Sequence, residues 1–593
     1  MAEYIAPLKD MQFVLQEIAD LSSVAALPPF GDAQPDLVDS ILEEAGKFAS
    51  GVLSPLNWSG DQNGTQFNPD NYTVTPAAGF PQAYEQFVES GWNGLACNPD
   101  FGGQGMPDLV ATAVSEMWCS ANMAFSLCPM LTQGAINAIA QNATDALKEQ
   151  YLPKMISGEW TGTMNLTEPQ AGSDLAAVRS KAVPNGDHYL ISGQKIFITW
   201  GDHEMTENVV HLVLARLPDA PAGVKGISLF IVPKYLLNAD GSLGARNDVR
   251  CVSIEHKLGI HASPTCTMAF GDAGGAIGYL VGEANRGLEY MFVMMNHARL
   301  NVGLEGIAIS ERAYQRARDY ARERVQSRDM GSKDPQGVAI IHHADIRRML
   351  LSMRSQTEAM RALSYFAAAA LDKAHTHPDA TEQAWNQAMV DLLIPIVKGW
   401  CTEQCIEVAS LGVQVHGGMG FVEETGAAQY YRDARITTIY EGTTGIQALD
   451  LMGRKIVREQ GVTMKALLEE MRATVQQLSA FADIQAALQT AINALAEATD
   501  WLLTHYNANP KAAASGAVAY LKLAGTVFGG WLLAKSALAA ARKLSEGQDD
   551  EFYRAKIITA RFFATHSLPL ASAYAVEVTH GADSTLALAL DAF

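Results

Sequence analysis

A block of short β-type segments stands in the middle of a chain that otherwise has helical patterning, and this order limits the folds open to its 593 residues. From about residue 161 to 285, runs rich in Val, Ile and aromatic residues are separated by turn signals. One of these signals is Asn185-Gly186, a pair typical of a hairpin. Because no helical pattern alternates with the runs, they predict an antiparallel barrel or sandwich rather than a doubly wound sheet.

Helical periodicity returns on both sides of this block. Ala313, Ala317 and Ala321 recur every four residues among many charges, which predicts a helix with one buried stripe. The expected fold is therefore mainly α with a central antiparallel β domain. Five parts are predicted: an N-terminal extension (1–35), an N-terminal helical domain (36–160), a middle β domain (161–285), a C-terminal helical domain (286–458) and an extra helical domain (459–593).

The charge balance and the cysteines exclude some classes of protein. With 43 Lys+Arg against 64 Asp+Glu, the net charge is −21, and such a protein would repel the phosphates of nucleic acid. The seven cysteines include no Cys-x-x-Cys pair, which indicates reduced thiols in a reducing compartment. His342 and His343 lie beside Asp345, but no further ligand follows at a useful spacing, so no metal site is predicted.

The N-terminal segment and the most apolar stretch bear on where the protein is located. The N-terminus is mixed and charged, so we expect no signal peptide. The most apolar stretch, 512–541, is interrupted by Lys522 and Lys535, which leaves twelve uncharged residues from Leu523 to Ala534. Twelve residues are too few to span a bilayer. We therefore expect a packed helix, no transmembrane segment and a bacterial cytoplasmic location, with peripheral membrane attachment as a minor alternative.

One carboxylate has the setting of a general base. Glu441 lies between Tyr440 and a Gly/Thr-rich turn that begins at Gly442, and both flanks look helical. A carboxylate held against apolar surroundings loses hydration, and its pKa rises towards the range useful for proton abstraction. From these residues alone, a solvated loop glutamate is an equal alternative.

Three further motifs precede this turn in a consistent order. The segment 166–174 is a loop of hydroxyl and backbone N–H groups suited to a heterocycle or phosphate. The segment 195–201 carries an aromatic residue and a threonine at a strand end, and the glycines of 413–421 permit close approach of a ligand. Each motif alone is weak, but the four in this order on an α–β–α background are a strong signal.

This set of motifs resembles the acyl-CoA dehydrogenase flavoprotein family over roughly residues 36–455. The resemblance implies an α–β–α fold whose C-terminal domain is a four-helix bundle, with FAD between the β domain and the bundle and help from a neighbouring subunit. It also implies a homo-oligomer, a dimer or tetramer. The implied reaction oxidises an acyl-CoA thioester to trans-2-enoyl-CoA and passes electrons to electron-transfer flavoprotein.

The resemblance also implies roles for individual residues. Glu441 matches the base that removes the α-proton while a hydride leaves to flavin N5. Some members place the base at the position matching Ala298, and alanine cannot act there. The implied FAD contacts are Leu166, Thr167, Gly172, Ser173, Phe197, Thr199, Arg324, Gln414, Gly417, Gly418 and Thr443. The implied substrate contacts are Ser173, Asn296, Arg299, Tyr440 and Gly442.

The length of the chain beyond residues 36–455 indicates a subgroup of the family but does not identify the acyl-CoA substrate. The N-terminal extension and the block after residue 460 resemble large bacterial members, which include enzymes for 3-methylmercaptopropionyl-CoA and for fatty acyl-CoA. An acyl-CoA oxidase that uses O2 and a non-catalytic flavoprotein of the same fold are the alternatives. A DNA-associated flavoprotein of this fold is disfavoured by the net charge of −21.

Overall fold

The computed structural model describes residues 4–548 and 550–593. Its backbone forms two compact units, which we describe separately. The first contains the residues up to Gly46, Pro107–Ser120 and Arg299–Phe593. The second contains Lys47–Met106 and Ala121–Ala298.

Helices account for most of the described chain, as the sequence predicts. Two π-helical segments, Ala49–Leu53 and Asp450–Val457, extend α3 and α12. The α-helices are α1 Leu8–Glu17, α2 Leu21–Ala25, α3 Pro35–Phe48, α4 Ser54–Asn63, α5 Phe80–Glu89, α6 Asp108–Asn142, α7 Asp145–Ser157, α8 Gly287–Glu323, α9 Ala344–Thr376, α10 Ala380–His416, α11 Ala427–Thr437, α12 Thr444–Leu449, α13 Val462–Gln477, α14 Ala482–His505, α15 Pro510–Ser515, α16 Ala517–Ser545, α17 Glu551–His566, α18 Leu570–His580 and α19 Ala582–Thr585.

In the first unit, α9, α10 and α16 pack closely around small residues. The predicted stripe of Ala313, Ala317 and Ala321 on α8 is buried. Helix α16 is apolar on most of its surface, and a helix of that kind must be covered all round. Its Gly525 lies so close to the Trp400 ring of α10 that a Cβ there would come within 2.1 Å of it.

The second unit contains an eight-stranded sheet in the order β10-β11-β5-β12-β7-β6-β3, with β4 beside β5. Its pairs are antiparallel, as predicted, except that β3 runs parallel to β6. The predicted hairpin is confirmed, because Gly186 has φ +69° between β4 and β5. The strands are β1 Gln66–Asn68, β2 Thr73–Thr75, β3 Trp160–Asn165, β4 Lys181–Asn185, β5 His188–Thr199, β6 Asn208–Ala215, β7 Ser228–Pro233, β8 Tyr235–Leu237, β9 Leu243–Arg246, β10 Val249–Ile254, β11 Thr265–Phe270 and β12 Ala276–Leu280.

Two helices, α6 and α16, are long and apolar enough to cross a membrane by length and composition. However, 78% and 89% of their most apolar windows are buried inside the protein, as is usual for core helices. The seven cysteines are buried, and none of them forms a disulfide within residues 4–548 and 550–593. Among the described residues, no group of three His, Cys, Asp or Glu side chains has the geometry to hold a metal ion.

Candidate active site

Glu441 lies on a tight connector between α11 and α12, as its sequence context predicts. Its backbone is left-handed at φ +54°, and Gly442 follows at φ +91°. The Gln447 side-chain amide donates to the Glu441 carbonyl at 3.2 Å. A Cβ on Gly442 would lie 2.6 Å from that amide nitrogen and displace the end of the Gln447 side chain, and the positive φ is the conformation that favours glycine there. Strain of this kind is concentrated at functional sites.

Burial makes the Glu441 carboxyl a weak acid. Desolvation raises its pKa to about 7, although the positive charges of Arg299 and Lys398 act in the opposite direction. The residue keeps part of its surface accessible, so a ligand can reach it. A carboxylate whose pKa is near 7 both accepts and releases protons readily at neutral pH.

Two buried side chains adjoin this turn. The Lys398 ammonium of α10 donates to the Gly442 carbonyl oxygen at 2.6 Å. The Tyr440 hydroxyl donates to Oε2 of Glu305 on α8. Lys398 and Glu305 are both fully buried. Burial lowers the pKa of Lys398 to about 8 and raises that of Glu305 to about 8.

Arg299 of α8 is close enough to Glu441 for their charges to interact. Its guanidinium lies 3.5 Å from the Asp450 carboxylate, and only 5% of the residue is exposed. Burial lowers the pKa of Arg299, while the charges of Asp450 and Glu441 raise it. The structure therefore brings Arg299, Tyr440, Glu441 and Gly442 together in the first unit, and their catalytic and substrate roles stay predictions.

In the second unit, a buried ion pair between Lys195 and Glu168 holds the loop 166–174, which is expected to contact the flavin ring. The buried Lys195 ammonium donates to the Leu166 carbonyl at 3.0 Å and to Glu168 at 2.8 Å. The Ile196 N–H donates to the Thr167 carbonyl at 2.9 Å, so the loop runs beside the end of β5. This pairing places Thr167 next to the residues that precede Thr199.

The end of β5 suits a flat aromatic ligand. Phe197 has a left-handed backbone at φ +60°, and 59% of it is exposed, which is unusual for a large aromatic residue in a strand. Thr199 is half-buried, and Gly172 and Ser173 are exposed. An uncovered ring and hydroxyl beside an ordered loop fit the isoalloxazine end of FAD.

In the first unit, the glycines after α10 form an open cradle. Gln414, Gly417 and Gly418 are exposed, and nothing lies within 4 Å of a Cβ built on either glycine. Gly417 has φ +61°. Arg324 is exposed just past the end of α8. Exposed glycines that allow close approach of a ligand, together with an exposed arginine, fit the phosphate and adenosine parts of FAD.

The remaining predicted residues have local roles as well. The Thr443 hydroxyl caps α12 by accepting from the Ile446 N–H at 3.3 Å. Asn296 is half-buried on α8, in the part of that helix that belongs to the second unit. The roles of individual residues toward FAD and substrate stay predictions.

Sequence reasoning missed Lys398 and Glu305. Each is a single charged residue in a run of apolar and small residues, Leu392–Cys401 and Leu300–Ile309. A charge in such a run signals a partnered or functional group, because an unpartnered buried charge is costly. That signal could have identified both residues, although not their partners.

Four family models cover nearly the whole chain. They are the N-terminal (residues 40–159), middle (163–273) and C-terminal (285–457) domains of acyl-CoA dehydrogenase, and an acetyl-CoA dehydrogenase C-terminal-like domain (467–589). An acyl-CoA dehydrogenase from Bacillus anthracis complexed with FAD has the same fold, with a TM-score of 0.74 at 20% identity, covering 92% of this chain and 88% of that one.

Two relatives are similar over almost their full length. The chain is 49% identical to 3-methylmercaptopropionyl-CoA dehydrogenase of Ruegeria pomeroyi, covering 99% of this chain and 100% of the relative. It is 37% identical to a butyryl-CoA dehydrogenase of Syntrophomonas wolfei, covering 95% of each chain. The chain therefore belongs to the acyl-CoA dehydrogenase family, whose members are FAD-dependent enzymes that dehydrogenate acyl-CoA thioesters.

Proposed function

We propose that this enzyme dehydrogenates 3-methylmercaptopropionyl-CoA, with Glu441 as the base that takes the α-proton. The identity of 49% to the Ruegeria pomeroyi enzyme supports this substrate, because it extends over 99% of the chain and includes the C-terminal helical block. The product would be the trans-2-enoyl thioester, formed by loss of one hydrogen from each of C2 and C3.

The observation that carries the proposed chemistry is the environment of Glu441. The α-proton of a thioester is weakly acidic, so its removal needs a base that is ionised near neutral pH yet binds a proton well. Burial raises the pKa of Glu441 to about 7, which meets both conditions. The left-handed turn holds the residue at a fixed angle, and Gly442 leaves room beside it.

The residues of this chain have separable tasks in the reaction. Glu441 would receive the α-proton on its carboxylate and end the step neutral. The charge that develops on the thioester oxygen needs a hydrogen-bond donor, and the N–H of Glu441 is the donor that this family provides. When bound, FAD supplies the acceptor for the hydride from the β-carbon. By the family resemblance, Thr167, Phe197 and Thr199 of the second unit would contact a flavin ring, and Gln414, Gly417 and Gly418 of the first unit would contact the adenosine side of an FAD.

The wider setting is also part of the proposal. Electron-transfer flavoprotein would reoxidise the enzyme, which would act as a homo-oligomer in the bacterial cytoplasm. The basis is the membership of the family, whose resemblance implies both the acceptor and the assembly. If oxygen uptake matched turnover without an added acceptor, an oxidase would replace the dehydrogenase in this proposal.

Replacing the base tests the proposed chemistry. Glu441→Gln should leave the protein yellow with bound flavin and lower turnover at least about a hundredfold, because the amide cannot accept the proton. Glu424→Gln is the matched control, since Glu424 is exposed in the same part of the bundle. A nearly normal rate in Glu441→Gln would show that another group is the base.

A substrate series tests the acyl specificity. The ratio kcat/KM would be measured for 3-methylmercaptopropionyl-CoA, butyryl-CoA, isobutyryl-CoA and palmitoyl-CoA, with one artificial electron acceptor. We expect the thioether ester to exceed the others by about tenfold or more, in the range that pocket contacts with a few extra atoms provide. A preference for butyryl-CoA or palmitoyl-CoA would reject the thioether substrate and leave the role of Glu441 intact.

A further inference from the structure

Lys398 is a buried lysine that holds the turn of the base. It is fully buried on α10, within the apolar run Leu392–Cys401. Its ammonium donates to the Gly442 carbonyl oxygen at 2.6 Å. A buried ammonium is costly unless hydrogen bonds and opposite charge compensate it. The family roles implied by the sequence do not account for a lysine here.

The other charges near Lys398 have partners of their own. Lys398 faces Glu441, Glu305, Arg299 and Glu403. Arg299 pairs with Asp450 at 3.5 Å, and Asp450 also accepts from Arg454. Glu403 accepts from the Thr444 hydroxyl at 2.7 Å and lies 3.7 Å from Lys522 of α16. The Lys398 charge therefore acts mainly on Glu441 and Glu305.

Of these two carboxyl groups, Glu305 is the one that keeps its proton. It is fully buried on α8, its Oε2 accepts from Tyr440, and its Oε1 has no hydrogen-bond partner in the described part of the chain. Desolvation raises the pKa of Glu305 to about 8, above the value of about 7 for Glu441. Glu305 is the more deeply buried of the two, since Glu441 keeps part of its surface accessible, so burial favours the neutral form of Glu305 and leaves the charge of Lys398 to stabilise the Glu441 carboxylate.

We propose that Lys398 is a positioning residue for the base, which fixes the turn through the Gly442 carbonyl and favours the ionised form of Glu441 with its charge. The inference rests on the proposed role of Glu441. Lys398 carries its charge below its pKa of about 8, and the only proton transfer is from the α-carbon to the Glu441 carboxylate. Without the lysine charge, the base would need a higher pH to become ionised.

Three variants of the flavin-loaded enzyme separate the charge from the hydrogen bond. Lys398→Gln keeps a donor for the Gly442 carbonyl but removes the charge, and Lys398→Arg keeps the charge. Glu305→Gln removes a group that is already neutral. The pH profile of kcat/KM between pH 5.5 and 9 would be measured with 3-methylmercaptopropionyl-CoA, or with the ester the substrate series ranks first, and ferrocenium. Flavin content and thermal midpoint would confirm that each variant is folded.

We expect the acid limb of the kcat/KM profile to move only in the variant that loses the lysine charge. In Lys398→Gln the acid limb should move up by at least about half a pH unit, a threefold or greater change at pH 6.5. In Lys398→Arg and Glu305→Gln the acid limb should lie within about 0.3 pH unit of the wild-type position, since neither variant removes a charge that acts on Glu441. A uniform loss of rate in Lys398→Gln with an unmoved limb would overturn the proposal and reduce the lysine to a structural role.

Two further outcomes keep the inference separate from the proposed function. If Lys398→Gln does not fold, a shifted limb in Lys398→Arg, which retains the charge, would overturn the proposal. An unshifted limb in Lys398→Arg together with an inactive Glu441→Gln would support it. A fully active Glu441→Gln measured in parallel would reject the base itself, whereas an inactive Glu441→Gln with an unmoved limb in Lys398→Gln would reject only the role of Lys398.

Discussion

At the scale of single residues, the protonation of Glu441 should control the pH dependence of the free enzyme. A general base works only when ionised, and burial sets the pKa of Glu441 at about 7. We therefore expect kcat/KM to rise as the pH increases through about 7 and then to level off. Steady-state kinetics on the wild-type enzyme would measure this profile. An acid limb near the ordinary value for glutamate would show that the carboxyl is not desolvated.

The same raised pKa predicts a cost in stability. An acid whose pKa is higher in the folded state binds its proton more tightly there, so stability falls as the pH rises from about 4.5 to about 7. Glu441→Gln should therefore raise the free energy of unfolding at pH 8, by at most about 3 kcal/mol, and much less at pH 4.5. Denaturant unfolding at the two pH values would measure this. An equal change at both values would contradict the assignment, and Glu424→Gln is the control.

Gly442 is the residue that makes this turn possible. It has φ +91°, and a Cβ would lie 2.6 Å from the Gln447 amide nitrogen. Gly442→Ala should lower kcat at least about tenfold, because strain of about 1–3 kcal/mol would displace the base. Gly445→Ala is the control, since its Cβ would have an ordinary contact at 3.9 Å. Equal activity in the two variants would show that the turn tolerates a side chain.

Sequence alone singled out Glu441, the proposed base, but not its neighbours, for a physical reason. Glu441 is flagged by adjacent residues, Tyr440 and Gly442, whose types restrict the local backbone. Lys398 and Glu305 reach the turn from 44 and 135 residues away along the chain, through contacts with Gly442 and Tyr440. Such contacts depend on how helices pack, and one sequence carries no record of that packing.

At the scale of secondary structure elements, the spacing of apolar residues predicted those elements that bury one face. The helices of the bundle and the hairpin at Gly186 were predicted from periodicity and turn chemistry. The parallel pairing of β3 with β6 was not, because β6 is buried throughout and β3 everywhere but at Met164, and their composition does not indicate direction. Most of the apolar stretch 512–541 lies in α16, and 89% of the most apolar window of that helix is buried.

Helix α16 packs against α10 only because Gly525 has no side chain. A Cβ at Gly525 would lie 2.1 Å from the Trp400 ring, and both residues are buried. Gly525→Ala should lower the free energy of unfolding by about 1–3 kcal/mol through overpacking. In the control Gly51→Ala the new Cβ would have nothing within 4 Å. Denaturant unfolding would compare the two, and an unchanged midpoint in Gly525→Ala would mean that the helices can separate at little cost.

At the scale of the whole molecule, buried ion pairs join parts of the first unit that are far apart in sequence. Arg361 of α9 binds Asp10 of the N-terminal extension, and it also binds Glu116 and Glu311. Lys556 of the C-terminal block binds the same Asp10, and it lies 3.0 Å from Glu358. The two terminal extensions and the bundle therefore share one network. Sequence predicted the helices of the C-terminal block but neither those of the N-terminal extension nor this link, since the charged residues look like ordinary surface charges until the helices pack.

The network predicts that the C-terminal block stabilises the bundle through Lys556. This lysine is 1% exposed, and removing its charge would leave Asp10 and Glu358 buried with less compensation. Lys556→Met should lower the free energy of unfolding by about 3–5 kcal/mol, whereas an exposed pair contributes about 1 kcal/mol or less. Lys9→Met is the matched control, because Lys9 pairs with Asp550 at the surface and its side chain is 53% exposed. Thermal and denaturant unfolding would compare the variants. Equal effects of the two substitutions would mean that the C-terminal block is held by apolar packing alone, with the buried lysine contributing no more than a surface charge.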